Sequence, residues 1–293
     1  MDLRAQARQI RLDLLAVETS HALASRDIPH AVIKGPTTSR WLYRPPREYS
    51  DLDILVPPSQ LAPCVSTLVS EGIAHPPGGR LGEEASHSQV LTSPVGAEID
   101  VHVTLPTLDP ATGERVWNVL ASDLVDFPLD TGAVPALVPA SRCVVLAMHV
   151  LASGFQNERV REDLRRALEA SGADVWTEAV SRAERLGIRA DVCAAADFVS
   201  ERALAAMSPA ATLRLTGRSS SAIQLERVLR GGWPDGVRML VQELFPSAGF
   251  MARYDPASRT SRAAMLAARL RRLRRIAAGL PSAGSELLRA RRR

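Results

Sequence analysis

The sequence predicts an α+β protein, in which a small core with a mixed sheet is followed by a C-terminal helical domain. Short strand-like runs end by Leu105, whereas long helical patterns rich in Ala, Leu and Arg begin near Pro139. A chain of 293 residues is also long enough for two ordinary domains. We therefore expect the core to occupy residues 1–138 and the helical domain residues 139–293.

The elements of the core follow from the spacing of apolar residues and from Gly/Pro signals. Apolar residues at helical spacing indicate the first helix, and Gly35-Pro36 stops the strand that follows it. Pro57-Pro58-Ser59 ends the next strand and caps a helix, and the Gly-containing turn at 93–96 indicates a hairpin. In chain order we predict a helix at 3–25, a strand at 30–33, a short helix at 37–43, a strand at 51–56, a helix to 71, and hairpin arms at 87–92 and 97–105.

The second half of the chain reads as a series of helices separated by Gly and Pro. The breaks fall at Gly172, Gly187, Pro209 and Gly231-Gly232. The predicted helices are 141–153, 159–171, 175–186, 189–207, 224–230 and 262–278. No internal repeat is visible, so a solenoid architecture is not indicated.

Composition places the protein in the cytoplasm. The content of 46% hydrophobic and 23% charged residues is that of a globular protein. The three cysteines lie far apart without a CxxC pair, so neither a zinc site nor a disulfide framework is expected. The N-terminus lacks the apolar core of a signal peptide, and the apolar window from Cys143 to Leu151 is too short to span a bilayer. We expect no membrane partner.

Basic residues are concentrated near the C-terminus, although the net charge is only +4. Arginines crowd residues 269–275 and recur at 289 and 291–293. Such a cluster can contact phosphates or acidic partners. A solvated helix face in an arginine-rich protein is the simpler explanation, and we favour it.

The stretch Asp51-Leu52-Asp53-Ile54-Leu55-Val56 carries two carboxylates inside a run that otherwise reads as a buried strand. Side chains alternate between the two faces of a strand, so both carboxylates point the same way. Buried charges are usually paired or bind a metal. This strand therefore predicts a cation next to Asp51 and Asp53, and a divalent ion is the natural candidate.

The second arm of the hairpin offers a third carboxylate. Glu98, Asp100 and His102 share one face of this predicted strand, while its apolar residues share the other. If the two strands are neighbours in one sheet, Asp100 can meet Asp51 and Asp53. Three carboxylates at a sheet edge suit Mg²⁺, which prefers oxygen ligands and completes its shell with substrate phosphates and water. The pattern predicts a nucleotide substrate better than a permanently bound metal.

Lys34 is the only lysine among 36 basic residues. A coding preference for arginine explains why arginine so outnumbers lysine, but it does not explain why position 34 is a lysine. An ammonium is a compact point charge, whereas a guanidinium is a planar fork, and a narrow phosphate site can require the former. Survival of a single lysine by chance is the alternative.

Several of these segments together resemble a known family. Ile33-Lys34-Gly35, the downstream Tyr43 and Arg47, SDLDILV at 50–56, EIDVH at 98–102 and LFPSAGFMARY at 244–254 resemble the uncharacterised nucleotidyltransferase family of the DNA polymerase β-like superfamily. The resemblance covers most of the chain in ordered blocks. It departs from the wider superfamily at Gly35-Pro36, where Gly-Ser or Gly-Gly is usual.

The resemblance implies a nucleotidyltransferase core in which Asp51 and Asp53 bind magnesium together with a triphosphate. Asp100 would complete one metal's shell and help to deprotonate the acceptor hydroxyl. Gly35 would let the backbone approach phosphate closely. Lys34 would be a phosphate ligand that neutralises charge as pyrophosphate leaves.

Other residues near these motifs have two interpretations each. Arg47 is a second candidate phosphate ligand, or it forms a salt bridge with Glu48 or Asp51. His102 orients a ligand or binds at the metal edge, or it is a hydrogen-bonded structural histidine. We interpret Tyr43 and His149 as packing residues.

The leading hypothesis is a magnesium-dependent nucleotidyltransferase that uses an NTP and releases pyrophosphate. Its acceptor is a small molecule, a peptide, a protein or an RNA end. A non-catalytic nucleotide- or RNA-binding module of the same fold is the second hypothesis, supported by the basic C-terminus and the Gly35-Pro36 turn. A phosphotransferase using the same metal site is the third.

Overall fold

The computed structural model describes residues 3–75, 88–153, 157–199, 251, 255 and 261–291. The chain divides into two compact units. The first comprises residues 1–76 and 86–205, and the second comprises residues 77–85 and 206–293. The helices are α1 (Leu3–Ala24), α2 (Pro36–Leu42), α3 (Leu61–Ser70), α4 (Gly113–Leu120), α5 (Pro139–Ala152), α6 (Glu158–Ala170), α7 (Ala173–Leu186), α8 (Arg189–Val199) and α9 (Arg262–Arg291). The strands are β1 (Ala31–Val32), β2 (Asp51–Leu55), β3 (Ser88–Thr92), β4 (Glu98–His102), β5 (Leu124–Leu129) and β6 (Gly132–Leu137).

The described strands form one mixed sheet in the order β3-β4-β2-β1-β6-β5. Strands β2 and β4 run parallel, as do β1 and β6, and the remaining neighbours are antiparallel. The predicted hairpin is present as β3 and β4, and its second arm lies directly beside β2. The prediction of an α+β fold with a mixed sheet is therefore confirmed.

The two faces of this sheet carry different kinds of side chain. One face carries Leu52 and Ile54 of β2 and Ile99 and Val101 of β4, which pack with apolar residues of α1 and α3 into a single core. These side chains are almost fully buried, and each contributes about 1.5 to 3 kcal/mol by leaving water. Because strand residues alternate, Asp51, Asp53, Asp100 and His102 lie on the opposite face.

The strands β5 and β6 and the helix α4 were not foreseen from the sequence. Leu129 pairs with Gly132, so a two-residue turn joins β5 and β6. Prolines within both strands weaken the strand pattern, because proline cannot donate to the ladder and is usually confined to edge positions. The hairpin nevertheless extends the sheet, since β6 pairs in parallel with β1.

Helices α5 to α8 pack against one another and belong to the same compact unit as the sheet. The domain boundary expected between residues 138 and 139 stays a prediction. The predicted helix at 224–230 and most of the 244–254 motif lie outside the described residues, as does the C-terminal end of the predicted 189–207 helix. None of the described helices has the length and apolar character needed to cross a membrane.

Candidate functional site

The site is built where β2 and β4 run side by side. Asp53 lies directly opposite Asp100 in the parallel register, and Leu55 lies opposite His102. Asp53, Asp100 and His102 thus share one face of two adjacent strands. The convergence of Asp53 and Asp100 that the sequence suggested is present.

Lys34 forms an ion pair with Asp53 at the centre of this site. The distance from Lys34 Nζ to Asp53 Oδ1 is 2.6 Å, and both side chains are largely buried. Burial opposes the charge on Lys34, but the nearby carboxylates, Asp53 first, outweigh it and raise the pKa of Lys34. Burial likewise opposes the charge on Asp53, but Lys34 and His102 hold the pKa of Asp53 below its usual value. Both groups are therefore charged at neutral pH.

His102 also contacts the carboxylates. Its Nε2 lies 2.9 Å from Asp53 Oδ1 and 3.3 Å from Asp100 Oδ2. A carboxylate can only accept a hydrogen bond, so Nε2 donates to Asp53. In this arrangement His102 orients Asp53, which agrees with its interpretation as a hydrogen-bonded structural histidine. Its role as a ligand at the metal edge stays a prediction.

The carboxylate of Asp100 fits a cation. Ligand atoms of Asp53, Asp100 and His102 lie within 4.8 Å of one another. Within the described part of the chain, Oδ1 of Asp100 is buried and accepts no hydrogen bond. A buried acceptor without a donor is costly unless something positive faces it. Carboxylate oxygens are ligands that Mg²⁺ prefers, so the residues present fit such an ion.

Asp51 lies two residues before Asp53 on the same face of β2, at the exposed start of the strand. It is not a member of the three-residue group that Asp53, Asp100 and His102 form in the described structure. Partial burial and the neighbouring charge of Asp53 raise the pKa of Asp51, and Lys34 opposes this shift. Asp51 faces the same cavity as Asp53, and its place among the metal ligands stays a prediction.

Gly35 brings the backbone after β1 close to β2. Its φ is +67°, in the region that favours glycine, and a Cβ at this position would lie 2.7 Å from the backbone oxygen of Asp51. Pro36 is the first residue of α2, a position where its missing N–H costs nothing. The structure thus gives both residues of the Gly35-Pro36 turn a local backbone role.

Gly35→Ala is expected to lower the free energy of unfolding by more than the roughly 1 to 3 kcal/mol that a left-handed non-glycine residue costs. The added Cβ also meets the Asp51 carbonyl, and neither backbone segment can move without disturbing the pairing of β1 with β2. Urea denaturation measures the change. Gly72→Ala is the matched control, because Gly72 has φ +71° and a Cβ added there would meet no described atom within 4 Å. Equal losses in the two variants would contradict the close contact.

Arg47 is held by Asp163 of α6. Its Nε and one terminal nitrogen donate to the two carboxylate oxygens at 3.1 and 2.6 Å. The hydroxyl of Tyr43 donates to the same carboxylate at 2.6 Å, and the guanidinium of Arg166 lies 4.4 Å from the centre of the Tyr43 ring. Arg47 therefore has the salt bridge foreseen as its structural alternative, although the partner is Asp163 and neither Glu48 nor Asp51. Tyr43 packs as expected, with its hydroxyl committed to Asp163.

A cavity of about 240 Å³ opens beside the carboxylates. Its sheet-side wall carries Lys34, Asp51 and Asp53, and its helical wall is formed by residues of α5 and of the start of α6. Sequence reasoning missed this second wall, because nothing in a single sequence indicates which side of a distant helix meets the sheet.

Four ionisable residues of the described structure line this cavity although the sequence did not assign them to the site: Tyr49, His149, Arg159 and Asp163. The interpretation of His149 as a core residue is corrected, since it is only half-buried and faces the cavity. Burial first, and then the positive charge of Lys34, lower the pKa of His149 to about 3. His149 is therefore a neutral imidazole at physiological pH.

Comparisons with known proteins identify a family. A family model described as "Uncharacterised nucleotidyltransferase" matches residues 3–203, which is more than half of the chain. No curated protein matches the chain.

Three solved structures show weak similarity to the chain. The solution structure of the antibiotic-resistance factor ANT(2'')-Ia matches with 14% identity and a TM-score of 0.42, covering 61% of this chain and 95% of that one. Its crystal structure in complex with adenylyl-2''-tobramycin matches with 13% identity and a TM-score of 0.42, covering 60% and 99%. An antigenic nucleotidyltransferase-like protein from Paracoccidioides brasiliensis matches with 15% identity and a TM-score of 0.36, covering 68% and 94%. Similarity at this level carries no argument about substrates.

Proposed function

This chain belongs to the uncharacterised nucleotidyltransferase family, and from that premise we propose that it transfers a nucleoside monophosphate from an NTP to an acceptor. The reaction is magnesium-dependent and releases pyrophosphate. The acceptor carries a hydroxyl or an amine and is a small molecule, a peptide, a protein or an RNA end. The protein acts in the cytoplasm, without a membrane partner.

One observation supports this proposal above the others. Asp53 and Asp100 lie side by side on neighbouring parallel strands and share one face of the sheet. Oδ1 of Asp100 is buried without a hydrogen-bond donor in the described structure. Three carboxylates, those of Asp51, Asp53 and Asp100, face a single ammonium, that of Lys34. This excess of negative charge favours a divalent cation over a second buried side chain as the missing partner.

The transfer is a substitution at the α-phosphorus of the NTP. The acceptor oxygen or nitrogen forms a bond to phosphorus, and the bond to the oxygen that bridges the α- and β-phosphates breaks. Pyrophosphate leaves with that electron pair, and the acceptor proton passes to the carboxylate of Asp100. A bound Mg²⁺ would neutralise part of the negative charge on the phosphate oxygens.

The chain's own residues have distinct parts in this proposal. Asp51, Asp53 and Asp100 would hold the cation, and His102 keeps Asp53 in position through its hydrogen bond. Lys34 balances the charge of Asp53 before the nucleotide arrives and can donate to a phosphate with the hydrogens that Asp53 does not use. Gly35 keeps the turn close to β2, so that the phosphates can approach the backbone.

Product analysis tests the proposal. The purified protein is incubated with each labelled NTP, Mg²⁺ and fractionated candidate acceptors, and the products are identified by mass. We expect a nucleotidyl adduct together with pyrophosphate, in amounts that depend on Mg²⁺. A phosphoryl adduct with nucleoside diphosphate would instead establish a phosphotransferase. Salt-sensitive RNA binding without any turnover would establish the binding module.

A further inference from the structure

We infer that Arg159 of α6 is the arginine that binds the polyphosphate of the nucleotide, and that Arg47 is a structural residue. This inference rests on the proposed function and deepens it. It also revises the sequence-based choice of Arg47 as a phosphate ligand.

Three cationic side chains of the described structure line the cavity: those of Lys34, Arg47 and Arg159. The ammonium of Lys34 lies 2.6 Å from a carboxylate oxygen of Asp53. The guanidinium of Arg47 binds both carboxylate oxygens of Asp163. Each of these two cations thus has a carboxylate counter-ion inside the protein.

Arg159 differs from both. Its side chain is exposed, and it donates one terminal N–H to the backbone carbonyl of Glu48. Among the described residues, no carboxylate forms an ion pair with it. A guanidinium has five N–H donors in a planar fork that matches two phosphate oxygens. Four of these donors and the full positive charge remain available to an anion in the cavity.

Recruiting Arg47 instead would be costly. Its withdrawal would leave the buried carboxylate of Asp163 with the hydroxyl of Tyr43 as its one remaining hydrogen-bond donor among the described residues. An uncompensated buried charge is strongly unfavourable. Arg159 can turn toward a phosphate by giving up a single hydrogen bond at the surface, which is the smaller loss.

Equilibrium binding tests this assignment. The Kd of each of the four NTPs is measured with Mg²⁺ by isothermal titration calorimetry, for the wild type and for Arg159→Gln. We expect the variant to bind the preferred NTP about 10-fold more weakly or worse, the size of one lost charge-assisted contact. Its urea midpoint of unfolding should match that of the wild type, because the side chain is exposed.

Two further variants complete the design. Arg165→Gln removes the same charge from the same helix outside the cavity, where Arg165 pairs with Glu162 and Glu169, and should leave the Kd unchanged. Arg159→Lys should restore part of the affinity by restoring the charge. Wild-type affinity in Arg159→Gln would overturn the assignment and leave the proposed function standing. Failure of the wild-type protein to bind any NTP would overturn both.

Discussion

Asp100→Asn is expected to reduce nucleotide transfer by about 10²- to 10³-fold or more, while the protein stays folded. A single electrostatic group in an active site commonly contributes this much. Asparagine keeps the shape of the side chain but removes the charge that a cation would meet at the buried Oδ1. Folding should tolerate the change, since it also removes a like charge from beside Asp53 and Asp51. Turnover is measured by pyrophosphate release, and folding by urea denaturation.

Glu98→Gln is the matched control for this variant. Glu98 lies on the same strand and face, two residues before Asp100, and is exposed. The same chemical change there should leave the rate within about twofold. Full activity in Asp100→Asn would contradict the proposed role of Asp100 in binding the cation. Asp53→Asn is a less informative variant, because it leaves the buried ammonium of Lys34 without its counter-ion, so that a loss of activity could reflect unfolding.

Asp163→Ala is expected to lower the free energy of unfolding by about 3 to 5 kcal/mol, the usual loss when one partner of a buried ion pair is removed. The carboxylate accepts from Arg47 twice and from Tyr43 once, and its side chain is only 5% exposed. Truncation leaves a guanidinium and a phenol without their acceptor. It also removes the three hydrogen bonds that join Tyr43 and Arg47 to α6 through Asp163. The linear dependence of the unfolding free energy on urea gives the value.

Two comparisons show whether the ion pair itself is responsible. Glu169→Ala on the same helix removes a carboxylate whose salt bridge is exposed and should cost less than about 1 kcal/mol. In the double variant Arg47→Met with Asp163→Leu, the buried charges leave together, and we expect most of the lost stability to return. A loss in Asp163→Ala no larger than in Glu169→Ala would contradict the structural role of the pair.

The double variant also bears on the assignment of Arg159. If Arg47 is structural, NTP binding should survive in a double variant that has regained its stability. A large loss of NTP affinity in that stable protein would show that Arg47 contacts the nucleotide. Calorimetric titration under the conditions used for Arg159→Gln makes the two results comparable.

Local sequence patterns predicted the two strands that carry the carboxylates. The alternation in 51–56 and 98–102 predicted two strands, their apolar faces and the shared face of Asp100 and His102. The limits were equally physical. Prolines within β5 and β6 obscure the alternating pattern of these two strands, and the otherwise apolar sequence of α5 favours a core position for His149.

The sequence by itself determined the mixed α+β fold, the paired carboxylates of β2, the third carboxylate of the hairpin and the unusual single lysine. These follow from composition, from the alternation of side chains along short strands and from the order of strand and helix patterns in the chain. Only the tertiary structure decided which distant groups meet. In the folded protein Asp53 lies between Lys34 and His102, and Arg47 forms a salt bridge with Asp163. His149 and Arg159 lie on the helical wall of the cavity. The physical reason is that the partner of a buried charge is set by tertiary packing. The partner lies on a separate strand or helix, and no local sequence pattern specifies which one.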